Sequence, residues 1–475
     1  MGRSREGTAA GEALERLAPG GLALLLLALG LAIWEPFPPG IWHDDGVYVL
    51  LGRSLAQGEG LRYLGVLDGP LAPKFPPLFP LLLALVWILA PTFPENIPIL
   101  AGVNLVILAG AGGLFAAYLR KILGLPLSVA LAATVLAWIS PELWRVGLVP
   151  LSEPLFLLSM VLALWAGGRM ETESGAWPVL LFLLAGGMAF YVRTLGVAVL
   201  LAGVLTLFLR RRGRAAWWTL GGSVALTLPW LIWSSRAATT LPVPLKDTLG
   251  PYGGWWVGQV THDPGAFGGF LLTNLSDMVS RVLSLLLPGV VGVPLWSGIL
   301  LLPVLFFGLR ELTRRSWVFP LALGLQIAVL LLWPFRDIRL LVPLQPLLVL
   351  ATLQELASIK GMSPRLARER GKELLEGLMR VDAMDDDSLT AYPRGIRNGP
   401  GRPTPEEEAL ADKIRKLRST RAEELGVERG VLLSNTQILE IVRRSPSSPE
   451  ELEAVPGMRK WQAQLLETKL LGLLP

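Results

Sequence analysis

Residues 22–48 read LALLLLALGLAIWEPFPPGIWHDDGVY, and the architecture of the chain follows from the change of composition inside that stretch. Leu22–Trp34 is apolar throughout and follows a charged N-terminal segment, as a membrane-spanning helix does. Glu35, Pro36, Pro38 and Pro39 stop it, and no small-residue cleavage site follows. It therefore reads as an uncleaved first span rather than a removable signal peptide. Immediately beyond, where the chain leaves the bilayer, stand Asp44 and Asp45.

Working outward, the whole chain divides in the same way. Of 475 residues, 52% are hydrophobic and 17% charged, and the mean hydropathy is +0.52, which excludes a disordered chain and argues against an ordinary soluble enzyme. The charge is unevenly spread: residues 355–475 hold 20 Lys/Arg and 20 Asp/Glu, residues 1–354 hold 23 and 18. The net charge of +5 thus belongs to the apolar body, and its pI near 9.5 is no argument for nucleic-acid binding. With no cysteine, and with His43 and His262 as the two histidines, disulfides, thiolate catalysis and Cys- or His-rich metal sites are excluded. A divalent cation held by carboxylates is the one cofactor left open.

Stretches approaching the roughly 20 apolar residues of a spanning helix lie near 17–34, 98–118, 125–140, 150–168, 176–192, 195–209, 215–233, 295–309, 317–333 and 338–354. Leu78–Ala90 lies between Pro77 and Pro91 with Pro80 inside, and suits a re-entrant or interfacial helix better. The basic clusters Arg120-Lys121, Arg210–Arg214, Arg310 and Arg314-Arg315 all fall on one side if 78–90 does not cross. The positive-inside rule makes that side cytoplasmic, giving about ten spans with the charged tail cytoplasmic as well. The expected fold is therefore all-α: a polytopic membrane protein with a re-entrant or juxtamembrane segment and a small soluble helical C-terminal domain. Its parts are a membrane body at 1–354, a helix and linker at 355–404, and a helical domain at 405–475.

In this topology the extracytoplasmic face receives segments 35–97, about 140–150, 234–294 and Pro334–Arg339, which hold both histidines and most carboxylates of the body. Polar groups gathered in loops at one face suit an active site at a membrane surface. A transporter or flippase, the competing reading, carries ionisable groups inside its helices. In the first loop, Asp44 and Asp45 can serve as base and orienter, bind a cation, or simply cap the helix over Val47–Ala56. His43 and Tyr48 flank them as candidate substrate contacts. Lys74, held between prolines, is placed to meet a phosphate leaving the bilayer. Glu153 is either a functional acid or a favourable charge at a helix start. Arg193, Arg336 and Arg339 are the other extracytoplasmic cations at helix ends. In the large loop, Trp255-Trp256 suits an interfacial belt or sugar stacking, and His262-Asp263 forms either an acid/base pair or a surface turn before Pro264-Gly.

The ordered series Asp44–Tyr48, Leu55–Gly58, Lys74–Pro80, Pro150–Phe156, Tyr191–Thr194 and Arg339–Pro346 resembles the protein-mannosyltransferase and aminoarabinose-transferase-like group of GT-C membrane glycosyltransferases, over about residues 20–354. The resemblance implies a transfer of sugar from a polyprenyl-phosphate donor to an acceptor (lipid, glycan or protein) at the extracytoplasmic face of the inner (plasma) membrane. It casts Asp44 as general base with Asp45 beside it, Glu153 as an acidic site residue, and Lys74, Arg193, Arg336 and Arg339 as ligands of the donor phosphate. Where the family has Asp-Glu, this chain has Asp-Asp, so the choice between Asp44 and Asp45 stays open.

The tail resembles the helicase-and-ribonuclease-D C-terminal (HRDC) module through Leu410–Leu425, Leu432–Ile441 and Glu451–Gly457, with Gly361–Gly371 like the end of a preceding copy in ribonuclease D. Such modules bind nucleic acid through one basic helix, here Lys413, Arg415, Lys416, Arg418 and Arg421. Acids interleave these cations, so a solvated helix face is the plainer reading, and a membrane anchor for a nucleic-acid-binding tail is the third alternative.

Overall fold

The computed structural model describes residues 2–35, 38–251, 264–286, 295–333, 337–358, 404–425 and 428–474. His262, Asp263, Arg336, the Trp255-Trp256 pair and the segment Gly361–Gly371 lie outside the described residues. Among the described ones every regular element is helical, apart from an isolated antiparallel bridge between Arg62 and Leu71. The chain separates into two compact units, Met1–Gly371 and Lys372–Pro475.

The first unit contains α1 (Gly2–Ala32), α2 (Asp44–Ala56), α3 (Leu78–Leu89), α4 (Ile97–Lys121), α5 (Leu127–Trp138), α6 (Pro141–Gly147), α7 (Glu153–Thr172), α8 (Ala176–Val192), α9 (Val197–Leu209), α10 (Gly213–Ala237), α11 (Lys246–Leu249), α12 (Pro264–Leu286), α13 (Leu295–Arg315), α14 (Val318–Leu331) and α15 (Gln345–Ser358). Their outer surfaces are apolar: Leu24 and Leu25 on α1, Leu85 and Leu89 on α3, and Leu228 and Leu231 on α10 are exposed. A water-soluble protein rarely exposes so much contiguous leucine, whereas a bilayer solvates it. Since lipid offers helices no hydrophobic reason to associate, close packing must hold them together. At Gly113 of α4 a Cβ would lie 2.7 Å from the Pro19 carbonyl oxygen of α1, so glycine there lets the two helices touch.

Among the described residues four helical stretches, Glu15–Ala32, Ile97–Lys121, Glu153–Thr172 and Gly213–Thr240, are long and apolar enough to cross a bilayer, and α5 with α6, bent by 72°, makes a fifth as a pair. Other apolar helices, at 78–89, 176–192, 194–209, 318–331 and 338–353, have 10–17 residues, short of a straight crossing. The bend interrupts the span expected at 125–140, because Pro141 starts a new helix directly after Ser140. The segment expected at 338–354 likewise opens with two 3-10 turns, Ile338–Leu340 and Val342–Leu344, before α15. The largest departure is α12, a 23-residue helix inside the stretch expected as a loop.

α3 is 12 residues long, about 18 Å at 1.5 Å per residue, too short to cross. It packs on α2, where the Trp87 indole N–H donates to the Val49 carbonyl at 3.0 Å. Between α8 and α9 the chain reverses within Arg193–Gly196, so close that a Cβ on Gly196 would meet the Phe190 nitrogen at 2.3 Å. That reversal sets Arg193 at a helix end.

The second unit contains α16 (Pro405–Leu425), α17 (Arg429–Leu432), α18 (Asn435–Arg444), α19 (Pro449–Glu453) and α20 (Lys460–Leu471) around a core that includes Ile414, Leu432, Ile438, Ile441, Leu452 and Leu466. Ser434 and Gln437 close a capping box at the start of α18. The Gln462 side chain donates to the Val431 carbonyl at 2.8 Å, tying α20 to the end of α17.

Candidate active site

The site begins with two adjacent carboxylates that turn opposite ways. Asp45 is fully buried, and its oxygens accept the backbone N–H groups of Gly40 at 2.9 Å and Trp42 at 3.1 Å. It fastens the incoming loop to the start of α2 and is spent there. Asp44, one residue earlier on the helix, points about 100° away into an open cleft. His43, which precedes it with φ 62°, has a largely exposed side chain 3.6 Å from the Asp44 carboxylate. Neither aspartate caps α2 in the usual sense, since no side chain bonds its first N–H groups.

The cleft is lined by Asp44 and Tyr48 from α2, Lys74, Phe75 and Pro76 from the following loop, Val192–Leu195 from the α8–α9 reversal, Leu330 and Trp333 from the end of α14, and Leu340. Arg339 enters from the side. Its Nε donates to Asp337 at 2.7 Å and its Nη2 to Asp44 at 3.3 Å, and the guanidinium lies 5.6 Å from the Trp42 ring centre. Its Nη1 is buried and has no hydrogen-bond partner among the described residues. A buried donor in that state is costly unless something else accepts from it.

Arg193 meets Glu153 at 2.7 Å. Glu153 is 2% exposed, and beyond that ion pair neither of its oxygens has a hydrogen bond among the described residues. Ser152 links the group: its Oγ accepts from Arg193 Nη1 at 3.2 Å and from the Tyr48 hydroxyl at 2.9 Å. Tyr48 packs edge-on against Phe75 and Phe79, and burial pushes its hydroxyl well above the usual tyrosine range. Lys74 donates to the Thr248 carbonyl at 2.8 Å, and burial lowers its ammonium pKa while Asp44 pulls the other way.

The fold thus brings Asp44, Tyr48, Lys74, Arg193, Glu153 and Arg339 to one place and turns Asp45 away from it. Acids and guanidinium groups are paired: Asp44 and Asp337 both engage Arg339, and Glu153 engages Arg193. Among the described residues no three His, Asp or Glu side chains converge as a cation site would require, so this acid set does not fit the divalent ion that the sequence leaves open.

Beyond Leu330 and Leu340 the cleft adjoins a second, half-open pocket, lined also by Asn274, Asp277, Met278, Arg281, Asp337 and Leu341. Sequence reasoning missed the α12 residues because it read their segment as a loop. The signal was present: positions 274, 277, 278 and 281 are spaced as one face of a helix. Asn274 earns its burial by donating to the Leu331 and Trp333 carbonyls at the end of α14, at 2.8 and 3.0 Å.

In the second unit, Arg415 is paired with Glu408 and Asp412 at 2.8 and 2.6 Å, Arg421 with Glu424 at 2.6 Å, and Arg418 donates to the Leu433 carbonyl at 3.0 Å. Three of the five cations that a nucleic acid would meet are engaged within the module.

No curated protein matches the chain. Among solved structures, ArnT from Cupriavidus metallidurans bound to undecaprenyl phosphate is 15% identical, with a TM-score of 0.49 over 96% of this chain and 76% of that one. The same protein in the apo state is 16% identical, with a TM-score of 0.46 over 98% and 77%. The HRDC domain family matches residues 407–474, so the chain carries an HRDC domain at its C-terminal end, after a body of lipid-facing helices.

Proposed function

We propose that the first unit is a membrane glycosyltransferase that moves a sugar from a polyprenyl-phosphate donor to an acceptor hydroxyl. The observation that carries this reading is the cleft itself, where one carboxylate, Asp44, faces a lysine and two arginines at the ends of apolar helices. The ordered motifs of the sequence supply the donor class. The cleft opens extracytoplasmically in this reading, with the HRDC domain on the cytoplasmic side, as the arginine clusters require.

A glycosyl phosphate carries its own leaving group, so the protein has to supply a base and a place for growing negative charge. Asp44 takes the proton of the acceptor hydroxyl as that oxygen bonds to the anomeric carbon. The bond from that carbon to the phosphate oxygen breaks, and its electron pair stays on the phosphate. Lys74, Arg193 and Arg339 surround the departing phosphate, and the unbonded Nη1 of Arg339 gives it a direct donor. A single displacement inverts the anomeric centre. Polyprenyl phosphate leaves, and Asp44 returns its proton to water. Glu153 and Asp337 act through their arginines, holding each guanidinium in place. Tyr48 lines the cleft and holds Ser152 beside Arg193.

Transfer from a labelled polyprenyl-phosphate sugar in membranes bearing the full chain tests the assignment. Lys74→Ala and Arg339→Ala are expected to cut turnover of the donor at least ten-fold. Parental rates in both variants, against a robust parental signal, contradict the phosphate site.

A further inference from the structure

Four arginines stand within five residues at the α9–α10 turn, and the structure uses them unequally. Arg210 pairs with Glu171 at 2.7 Å, and Arg212 donates to the carbonyls of Met170 and Glu173. Both guanidinium groups are thus engaged by the end of α7 and the residue after it. Arg211, held at φ 58°, and Arg214, on the first turn of α10, are exposed, and neither guanidinium has a hydrogen bond or ion pair among the described residues. α10 adds to this positive end, having no acidic residue in its first turn and no side-chain cap.

Below Arg214 the same face of α10 carries Trp217, 65% exposed, and then Val224, Leu228 and Leu231, all exposed. The spacing keeps them in one stripe down the helix. Gly221 lies on that stripe too, and a Cβ there would meet nothing within 4 Å, so the surface is open along its length. Cations, then an indole, then an apolar track reproduce the sequence headgroup, interface, acyl chain of a single phospholipid.

We infer that this face binds an anionic phospholipid, its phosphate on Arg211 and Arg214 and one acyl chain along Val224–Leu231. The site is remote from the catalytic cleft. Glu171, next to the turn, and Glu153, in the cleft, stand at opposite ends of α7, about 27 Å apart by helix rise. The inference needs the chain to sit in a bilayer and does not depend on the reaction proposed above.

Native mass spectrometry of the purified full chain, given equimolar phosphatidylglycerol and phosphatidylethanolamine of matched acyl chains, reads the site directly. The parent is expected to retain phosphatidylglycerol preferentially. Arg211→Ala with Arg214→Ala is expected to lower that retention at least five-fold, since each cation near an anionic headgroup changes binding by roughly that factor. Phosphatidylethanolamine retention should stay unchanged. Arg211→Lys with Arg214→Lys, which keeps the charge, should remain within two-fold of the parent and so separates charge from folding. Arg53→Ala, an exposed arginine on α2, should change retention less than two-fold. Equal retention of both lipids by the parent overturns the proposal, as does undiminished phosphatidylglycerol on the double alanine variant. An equal loss in Arg53→Ala overturns it too. Displacement by excess glycerol 1-phosphate would assign the arginines to a free phosphate ester and overturn the lipid site.

Discussion

α7 carries a buried glutamate at each end, and the two are opposites. Glu171 and Glu153 are each 2% exposed and each meets an arginine at 2.7 Å. Glu171 also accepts from the Ser316 hydroxyl at 2.6 Å and from the backbone N–H groups of Trp317 and Val318 at 3.0 and 3.1 Å. It caps the start of α14 and ties three helices together, with its lone pairs in use. Among the described residues Glu153 has the arginine and no hydrogen bond, beside a cleft where Arg339 keeps a donor without an acceptor. A saturated buried acid is architecture. An unsaturated one beside idle donors costs the fold something, and it suits a site that waits for a ligand.

The sharpest way to break this comparison is to remove each acid. Glu171→Ala leaves the buried Ser316 hydroxyl and the first N–H groups of α14 without their acceptor, and should lower stability by about 2–4 kcal/mol, read by chemical denaturation in detergent. Glu153→Gln keeps the shape and should leave stability near the parent, with transfer down ten-fold or more. Equal stability losses in the two variants would erase the distinction. Asp45→Ala strips the acceptor from the Gly40 and Trp42 N–H groups and should cost about 1–3 kcal/mol, visible as a fall in Tm. Smaller again is a pH effect at Lys74. Because burial lowers its pKa, the ammonium is charged at low pH and is lost as pH rises through a value below the ordinary lysine range of about 10.4. The KM for donor should therefore climb at alkaline pH earlier than a free lysine would dictate, and Lys74→Arg should flatten that climb. The smallest expected change is Arg415→Ala in the HRDC domain, an exposed pair worth under about 1 kcal/mol in domain unfolding.

Much of the body was legible because long apolar stretches have few alternatives. Ala176–Val192 forms a helix over the expected residues, and the tail expected as a helical domain from 405 opens with α16 at Pro405. Breaks were less legible. Nothing local to Ser140 says whether Pro141 kinks a span or turns it by 72°. α12 escaped because Gly265, Gly268, Gly269, Thr273 and Asn274 weaken the apolar pattern of its first half, while the packing on neighbouring helices that buries Asn274, Met278 and Val282 lies outside any local window. At the cleft, the motifs named Asp44, Lys74, Glu153, Arg193 and Arg339. Which of Asp44 and Asp45 turns inward depends on the loop at 38–42, which folds back over the helix start, and a pair of identical residues carries no trace of that. Asp337 holds the Arg339 Nε at 2.7 Å while the Nη2 of the same guanidinium reaches Asp44, a pairing that two residues' spacing alone does not reveal.

The central claim is that Asp44 is the base and Asp45 its scaffold. Steady-state transfer by purified Asp44→Asn, with retention of labelled polyprenyl phosphate measured on the same sample, tests it most directly. The account predicts a loss of turnover of roughly 10²–10⁴-fold with phosphate retention within two-fold of the parent. Parental turnover in Asp44→Asn would contradict it.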